Sequence, residues 1–451
     1  MMILATIVYF SITIIYMVFA TRAIKQWLID PTIIFVLSQL VFFMGSLPFL
    51  DNKIPADAIN CMIMVVSIGF FIIGASIVDM ANPVPRKNVR LWLRSPLQTI
   101  ESSTSFNYLL GIIIAVSIIV SMAYFHAVGY NIFLGSIVSL IKGDDISALA
   151  AGMVTKRLES YSGETYFAPG YVNQFKNILL PLITIYLIAR YSLQKNVNDF
   201  IIVLGLVPLS IVFLFGTGQR GAFIHIVLIL IVFINIAMTG KRLLLTNITV
   251  LMITVILFAF ISFSLGRVTN DKATGHTLIT NLVLELPNRI STGNQLAGVI
   301  GFRYIYDKQF QHGADLWSHM KEILPGQGSK LTIESEISQI LSGSTRGTAP
   351  LSIWGQIWYD FGPIGVVLTS FIMGLLYKGV YIKFLSQQKT MFNLLIHAGI
   401  TVIIGTWVAG APNILINSGL VTVIFFKVIV HYWEKLHSLI FKLTRMESYD
   451  L

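Results

Sequence analysis

Long stretches of this chain run for some twenty residues or more without one charged side chain, among them 2–21, 31–50, 58–78, 200–219, 243–266 and 390–426. An apolar run of roughly 18 or more residues is long enough to cross the hydrocarbon core of a bilayer as a helix. Inside that core every backbone N–H and C=O must be satisfied within the segment, so a chain built of such runs folds as packed helices. The charges are crowded between the runs and make up 12% of 451 residues, against about 25% in soluble domains. That pattern excludes a soluble enzyme, a disordered chain and a secreted disulfide scaffold. The single cysteine, Cys61, excludes an intrachain disulfide and a cysteine-based zinc or iron–sulfur site.

The expected fold is all-α, a polytopic integral membrane protein forming one domain over 1–451. About eleven spans are expected, at 2–20, 31–50, 59–78, 107–126, 174–191, 200–216, 221–239, 244–265, 362–382, 391–410 and 414–433. The first run lacks a basic leader and a small-residue cleavage site, which predicts a retained helix. Basic residues set the orientation. Arg22 and Lys25, Arg86 to Arg94, Arg190 and Lys195, Lys241 and Arg242, then Lys378, Lys383 and Lys389 fall in alternate connections. These connections are expected inside, with the N-terminus outside and the C-terminus in the cytoplasm. The excess of ten positive charges is thereby used for orientation; no basic, aromatic-interleaved run points to nucleic acid.

Two outer segments are long. The first, 127–173, opens with a charge-free stretch suited to an interfacial or re-entrant element. The second, 267–350, carries eight basic and seven acidic residues. Its apolar residues Leu316, Trp317, Met320, Ile323 and Leu324, then Ile333, Ile337, Ile340 and Leu341, fall at amphipathic helical spacing. Short helices lying over the outer face are expected there.

Neither GxxxxGK[ST] nor HExxH occurs, and the eight histidines form no tight pair with a supporting carboxylate, so no metal and no cofactor is expected. The informative segment is Phe215-Gly216-Thr217-Gly218-Gln219-Arg220-Gly221. Arginine offers a planar fork for phosphate, and glycines let backbone N–H groups approach an anion at a helix start. An arginine facing lipid headgroups explains the same turn equally well. Arg267, Arg289, Arg303 and Arg346 lie on the same expected face. An anionic substrate accounts for them, and so do ion pairs with Glu285, Asp307, Glu334 or Glu336. On one straight helix Arg289 and Arg303 would stand roughly 21 Å apart, too far to clamp one pyrophosphate unless Gly293, Gly298 or Gly301 bends it.

With these features in place the chain resembles the bacterial O-antigen polymerase family (Wzy-type oligosaccharide repeat-unit polymerases). The resemblance rests on the number of spans, the GTGQRG turn, a long outer loop containing NRISTGNQ, and RGTAPLSIWGQIWYDFGPIG re-entering the membrane. Family members show a glycine-flanked arginine like Arg220 and a G-[EQ]-x-x-x-x-[FY]-G pattern like Gly355-Gln356 to Phe361-Gly362. Many have an acid where this chain has Gln356.

The resemblance implies a multi-pass glycosyltransferase of the bacterial inner membrane, acting at its periplasmic face in lipopolysaccharide biosynthesis. Donor and acceptor would both be oligosaccharides on undecaprenyl pyrophosphate, held among membrane lipid. A chain-length regulator would be a partner. Arg220, Arg267, Arg289 and Arg346 would then bind the pyrophosphate, since a pyrophosphate leaving group needs charge stabilisation more than a proton. The acceptor hydroxyl still needs a base, and Glu336, Asp360, His312 and Glu334 are the candidates. Two other readings share parts of this pattern. An O-antigen ligase would use the same donor chemistry. A transporter or flippase of lipid-linked glycan would place ionisable residues at mid-membrane, where the expected spans are nearly free of charge.

Overall fold

The computed structural model describes residues 2–23, 29–98, 104–142, 168–218, 220–238, 241–264, 295–323, 332–343 and 348–447. Among them every regular element is helical, and only two isolated β-bridges occur. Among the described residues seven helices are long and apolar enough to cross a membrane: Met2–Phe19, Pro31–Phe49, Pro55–Ala81, Thr104–Val128, Gly170–Gln194, Val197–Phe215 and Ile353–Leu385. The remaining four expected spans overlap shorter apolar helices that are not counted among the seven, Gly221–Ala237, Thr246–Leu257, Met391–Gly405 and Leu420–Trp433. The protein is a helical, membrane-embedded one. Cys61 is buried in it.

The chain forms two compact units. One comprises Met1–Arg94, Gly266–Gln387 and Thr401–Leu415. Its centre is the packing of Pro55–Ala81 on Ile353–Leu385. There Gly374 lies so close to its neighbour that an added Cβ would sit 2.1 Å from the Phe71 carbonyl oxygen. Gly74 faces the Phe371 carbonyl in the same way, at 2.2 Å. Small residues at such a crossing let two backbones approach, which is how helices associate where no hydrophobic drive separates protein from lipid.

Ion pairs fasten both ends of this bundle. At one end Lys378 Nζ donates to Asp30 Oδ2 at 2.8 Å and lies 3.1 Å from Asp79 Oδ2. Asp30 also caps the Pro31–Ser46 helix by accepting from the Thr32 backbone. At the other end Arg303 Nη2 donates to Asp57 Oδ2 at 2.7 Å, and Nε donates to Oδ1 at 2.8 Å. The expectation of spans nearly free of charge is therefore corrected at Lys378. That residue falls not in a loop but inside the Ile353–Leu385 helix, and it is buried.

The long segment expected outside, 267–350, is also more than a cover. Its residues 295–305 are helical and bury Ala297, Val299, Phe302 and Ile305. The Ala314–Lys321 and Ile333–Ser342 helices follow.

The second unit comprises Ser95–Leu265, Gln388–Ile400 and Ile416–Leu451. Arg190, which charge counting places in an inner loop, is buried and donates to Asp199 and to Asn107. The charge-free stretch after residue 128 forms the Ile132–Lys142 helix. At about 1.5 Å per residue it is too short to cross a bilayer. A π-helical segment, Gln174–Leu179, interrupts the span that ends at Gln194. Such wide turns recur at functional positions.

Candidate functional site

In the first unit the Ile353–Leu385 helix is not continuous. Gly362 sits at φ 65°, ψ −161°, with Pro363 behind it. Only glycine adopts that conformation cheaply, and proline removes a helical donor. The kink sets residues 353–361 at an angle to the rest of the helix, at the residue where the expected span starts. It also leaves Gln356 and Asp360 on a short helical piece where residues 311–312 dock. Gln311 N–H donates to the Tyr359 carbonyl at 2.9 Å and His312 N–H to the Asp360 carbonyl at 2.7 Å.

These bonds bring the Ala314–Lys321 helix against Asp360. Its carboxylate accepts from the Leu316 backbone at 3.2 Å, satisfying one of the donors a helix start leaves over. Gly313, at the N-cap, has no side chain to do this. Asp360 is thus engaged as a helix cap. One helical turn before it, Gln356 Nε2 donates to the Asp315 carboxylate.

His319 stands at the centre of this cluster. Its Nε2 lies 3.3 Å from Asp315 Oδ2 and 3.2 Å from Glu334 Oε1, and its Nδ1 lies 3.4 Å from Glu322 Oε2. Burial alone would lower its pKa; the Asp315, Glu322 and Glu334 carboxylates more than reverse that, and it is pushed up to about 12. His319 is therefore an imidazolium near neutrality and cannot accept a proton. One Nε2–H cannot serve Asp315 and Glu334 together. Glu334 Oε2 and Gln356 Oε1 are both buried with no hydrogen-bond partner. Leaving such an acceptor unmet costs about 1–3 kcal/mol, so each calls for a ligand or a role.

The other sequence candidates fall differently. Glu336 lies outside this cluster, accepting from Tyr304 Oη at 2.8 Å and from Lys308 Nζ at 3.2 Å. His312 is exposed and reaches Asp360 only through the backbone bond. Arg303 is taken by Asp57 and by the Phe49 carbonyl, none of the four acids expected as its partner. Arg267, Arg289 and Arg346 lie outside the described residues. Arg220 is the first residue of the Arg220–Ala237 helix, in the second unit, and its side chain is likewise outside the description. The turn before it is anchored twice. Ile132 N–H donates to the Gly216 carbonyl at 2.8 Å. Lys176 Nζ, fully buried on the π-helical segment, lies 3.3 Å from Thr217 Oγ1. No sequence motif marks Lys176.

A small cavity of about 70 Å³ lies beside Gln356 and Asp360, walled by Leu316, Ile357, Trp407 and Pro412 among others. Residues 406–412 leave the helical path expected for 391–410. Instead, Ile353 N–H donates to the Val408 carbonyl and Gly410 N–H to the Leu351 carbonyl. Among the described residues no group of three or more His, Cys, Asp or Glu has the geometry to hold a metal. Family models, curated proteins and solved structures give no match to this chain.

Proposed function

We propose that the protein polymerises lipid-linked oligosaccharide repeat units at the outer face of the bacterial inner membrane, using a donor on undecaprenyl pyrophosphate. The supporting observation is Glu334: a carboxylate with one oxygen 3.2 Å from the protonated His319 ring and the other free of any partner. Such a group can take the proton of an acceptor hydroxyl as that oxygen attacks the anomeric carbon and the lipid pyrophosphate departs. His319 stands beside it as the nearest cation, while Asp315 and Asp360 are committed to other contacts.

The sign of charge divides the work. Asp315, Glu322, Glu334 and Asp360 surround one imidazolium, and a pyrophosphate would be repelled there. The leaving group belongs with cationic groups, for which Arg220, Arg267, Arg289 and Arg346 remain the candidates.

The Lys378–Asp30–Asp79 network supports a transporter reading, since paired ions between helices also mark transport pathways. Here it joins helix ends and is fully paired, as a structural fastener would be. The lipopolysaccharide banding of a deletion strain separates the readings. Loss of a polymerase leaves core bearing one repeat unit. Bare core would indicate a ligase or flippase and overturn the proposal.

A further inference from the structure

In the first unit the short Arg86–Arg94 helix is strongly basic, and no acidic residue occurs between Asp79 and Glu101. Its two faces differ. Val89, Trp92 and Leu93, spaced i, i+3 and i+4, form one of them, with Val89 and Leu93 buried. Trp92 fixes that face to the end of the Ile353–Leu385 helix. Its ring centroid lies 4.8 Å from that of Phe384, and its Nε1 donates to the Gln387 carbonyl at 3.2 Å. Lys87, Arg90, Leu91 and Arg94, at i, i+3, i+4 and i+7, form the opposite face, and all four are exposed. Among the described residues none of these three cations meets an ion-pair or hydrogen-bond partner.

The position of the helix narrows what such a face can meet. Residues 82–85 alone separate it from the end of the Pro55–Ala81 helix. It therefore sits where two helices of bilayer-crossing length end side by side. Orienting a membrane protein takes only a count of positive charges on one side. It requires no common face, and it gives no use to Leu91, 56% exposed among the cations. Met80 and Val84, on the approach to the helix, are exposed as well. Cations interleaved with apolar residues suit the boundary between headgroups and acyl chains, where the charges meet phosphate and the leucine meets hydrocarbon. Nucleic acid or an acidic protein would take the charge and leave Leu91 in water.

We propose that the face formed by Lys87, Arg90, Leu91 and Arg94 is a binding site for anionic phospholipid headgroups. The two arginines engage phosphate oxygens as planar forks, and Lys87 adds a point charge. Bound lipid holds this helix, and through Trp92 the end of the Ile353–Leu385 helix, against the bilayer surface. The site is independent of the glycan chemistry proposed above.

The test identifies the lipids that stay with the full-length protein when it is released from nanodiscs for native mass spectrometry. The discs contain equal parts of phosphatidylglycerol and phosphatidylcholine. Phosphatidylglycerol is expected in excess by at least about fivefold, the effect of a single cation near an anionic surface. The excess should fall in discs prepared at about 1 M salt, where screening is nearly complete. Combining Lys87→Gln, Arg90→Gln and Arg94→Gln should remove most of it. Combining Lys53→Gln, Lys142→Gln and Lys195→Gln removes the same charge from exposed positions elsewhere and should leave it in place. Where the first triple variant does not insert, Arg90→Gln alone, one positive charge in 31, should still lower the excess. Equal retention of the two lipids by the unaltered protein would overturn the site. So would an excess that survives the substitutions on this helix, or one that the control variant loses just as fully.

Discussion

Arg303 grips Asp57 through two hydrogen bonds, of 2.8 and 2.7 Å, across 246 residues of sequence. Asp57 is buried and opens the Pro55–Ala81 helix, so the pair ties the helix at 295–305 to the helical bundle. Among the arginines of the expected outer face, this one is structural.

Replacing Arg303 by Met should therefore destabilise the protein by leaving a buried carboxylate alone. Breaking a fully buried pair costs about 3–5 kcal/mol; with Arg303 partly exposed, about 2 kcal/mol is expected. Adding Asp57→Asn should restore most of the loss. Apparent unfolding midpoints of the single and double variants in detergent check this. A double variant as unstable as Arg303→Met would show that the pair is not what fastens the segment.

A second expectation concerns His319. Its pKa, raised to about 12 in the folded protein, stands above the usual value near 6.5. Its contribution to stability is thus fully present below about pH 6.5 and is lost progressively as pH rises towards 12. The stability gap between the wild type and His319→Gln should be widest below pH 6.5 and narrow steadily from pH 7 to 10. The slope can reach about 1.4 kcal/mol per pH unit. A gap that widens with pH would mean that His319 is buried neutral, which would free it to act as a base.

Arg220→Lys tests the glycine-rich turn. Lysine keeps the charge but loses the planar fork that engages two phosphate oxygens. Removing a preorganised donor to developing charge typically costs about 100- to 1000-fold in rate. Long-chain glycan in cells should fall accordingly at matched membrane abundance. Near-normal polymer would make Arg220 a headgroup contact and move the donor site to Arg267, Arg289 or Arg346.

Much of this architecture is legible in the sequence because bilayer-length apolar runs are a one-dimensional signal. The kink at Gly362 is legible for a similar reason, since Gly-Pro at a span boundary breaks a helix locally. The site is legible only in part. Periodicity singles out Trp317 and Met320 by their amphipathic spacing; it gives no sign that His319, between them, is the residue the protein buries. Apolar spacing cannot anticipate carboxylates arriving from Ile333–Ser342, which close on His319 only in three dimensions. Glu334 and Glu336 are equal candidates by sequence. They differ because Glu336 meets Tyr304 and Lys308 while Glu334 is turned inward. Lys378 reads as a loop charge, and only the partner at Asp30, 348 residues away, shows otherwise.

The most direct measurement is reconstitution. Purified protein in nanodiscs is given one synthetic undecaprenyl-pyrophosphate-linked repeat unit as both donor and acceptor, in EDTA, beside a Glu334→Gln variant of equal abundance. A ladder of products rising by one repeat, with release of undecaprenyl pyrophosphate, is expected from the wild type. Glu334→Gln should lose about 100-fold or more of that rate, within the range assigned to general base catalysis. No ladder from folded wild-type protein, or an equal ladder from Glu334→Gln, would contradict the assignment of polymerisation to this chain or of the base to Glu334.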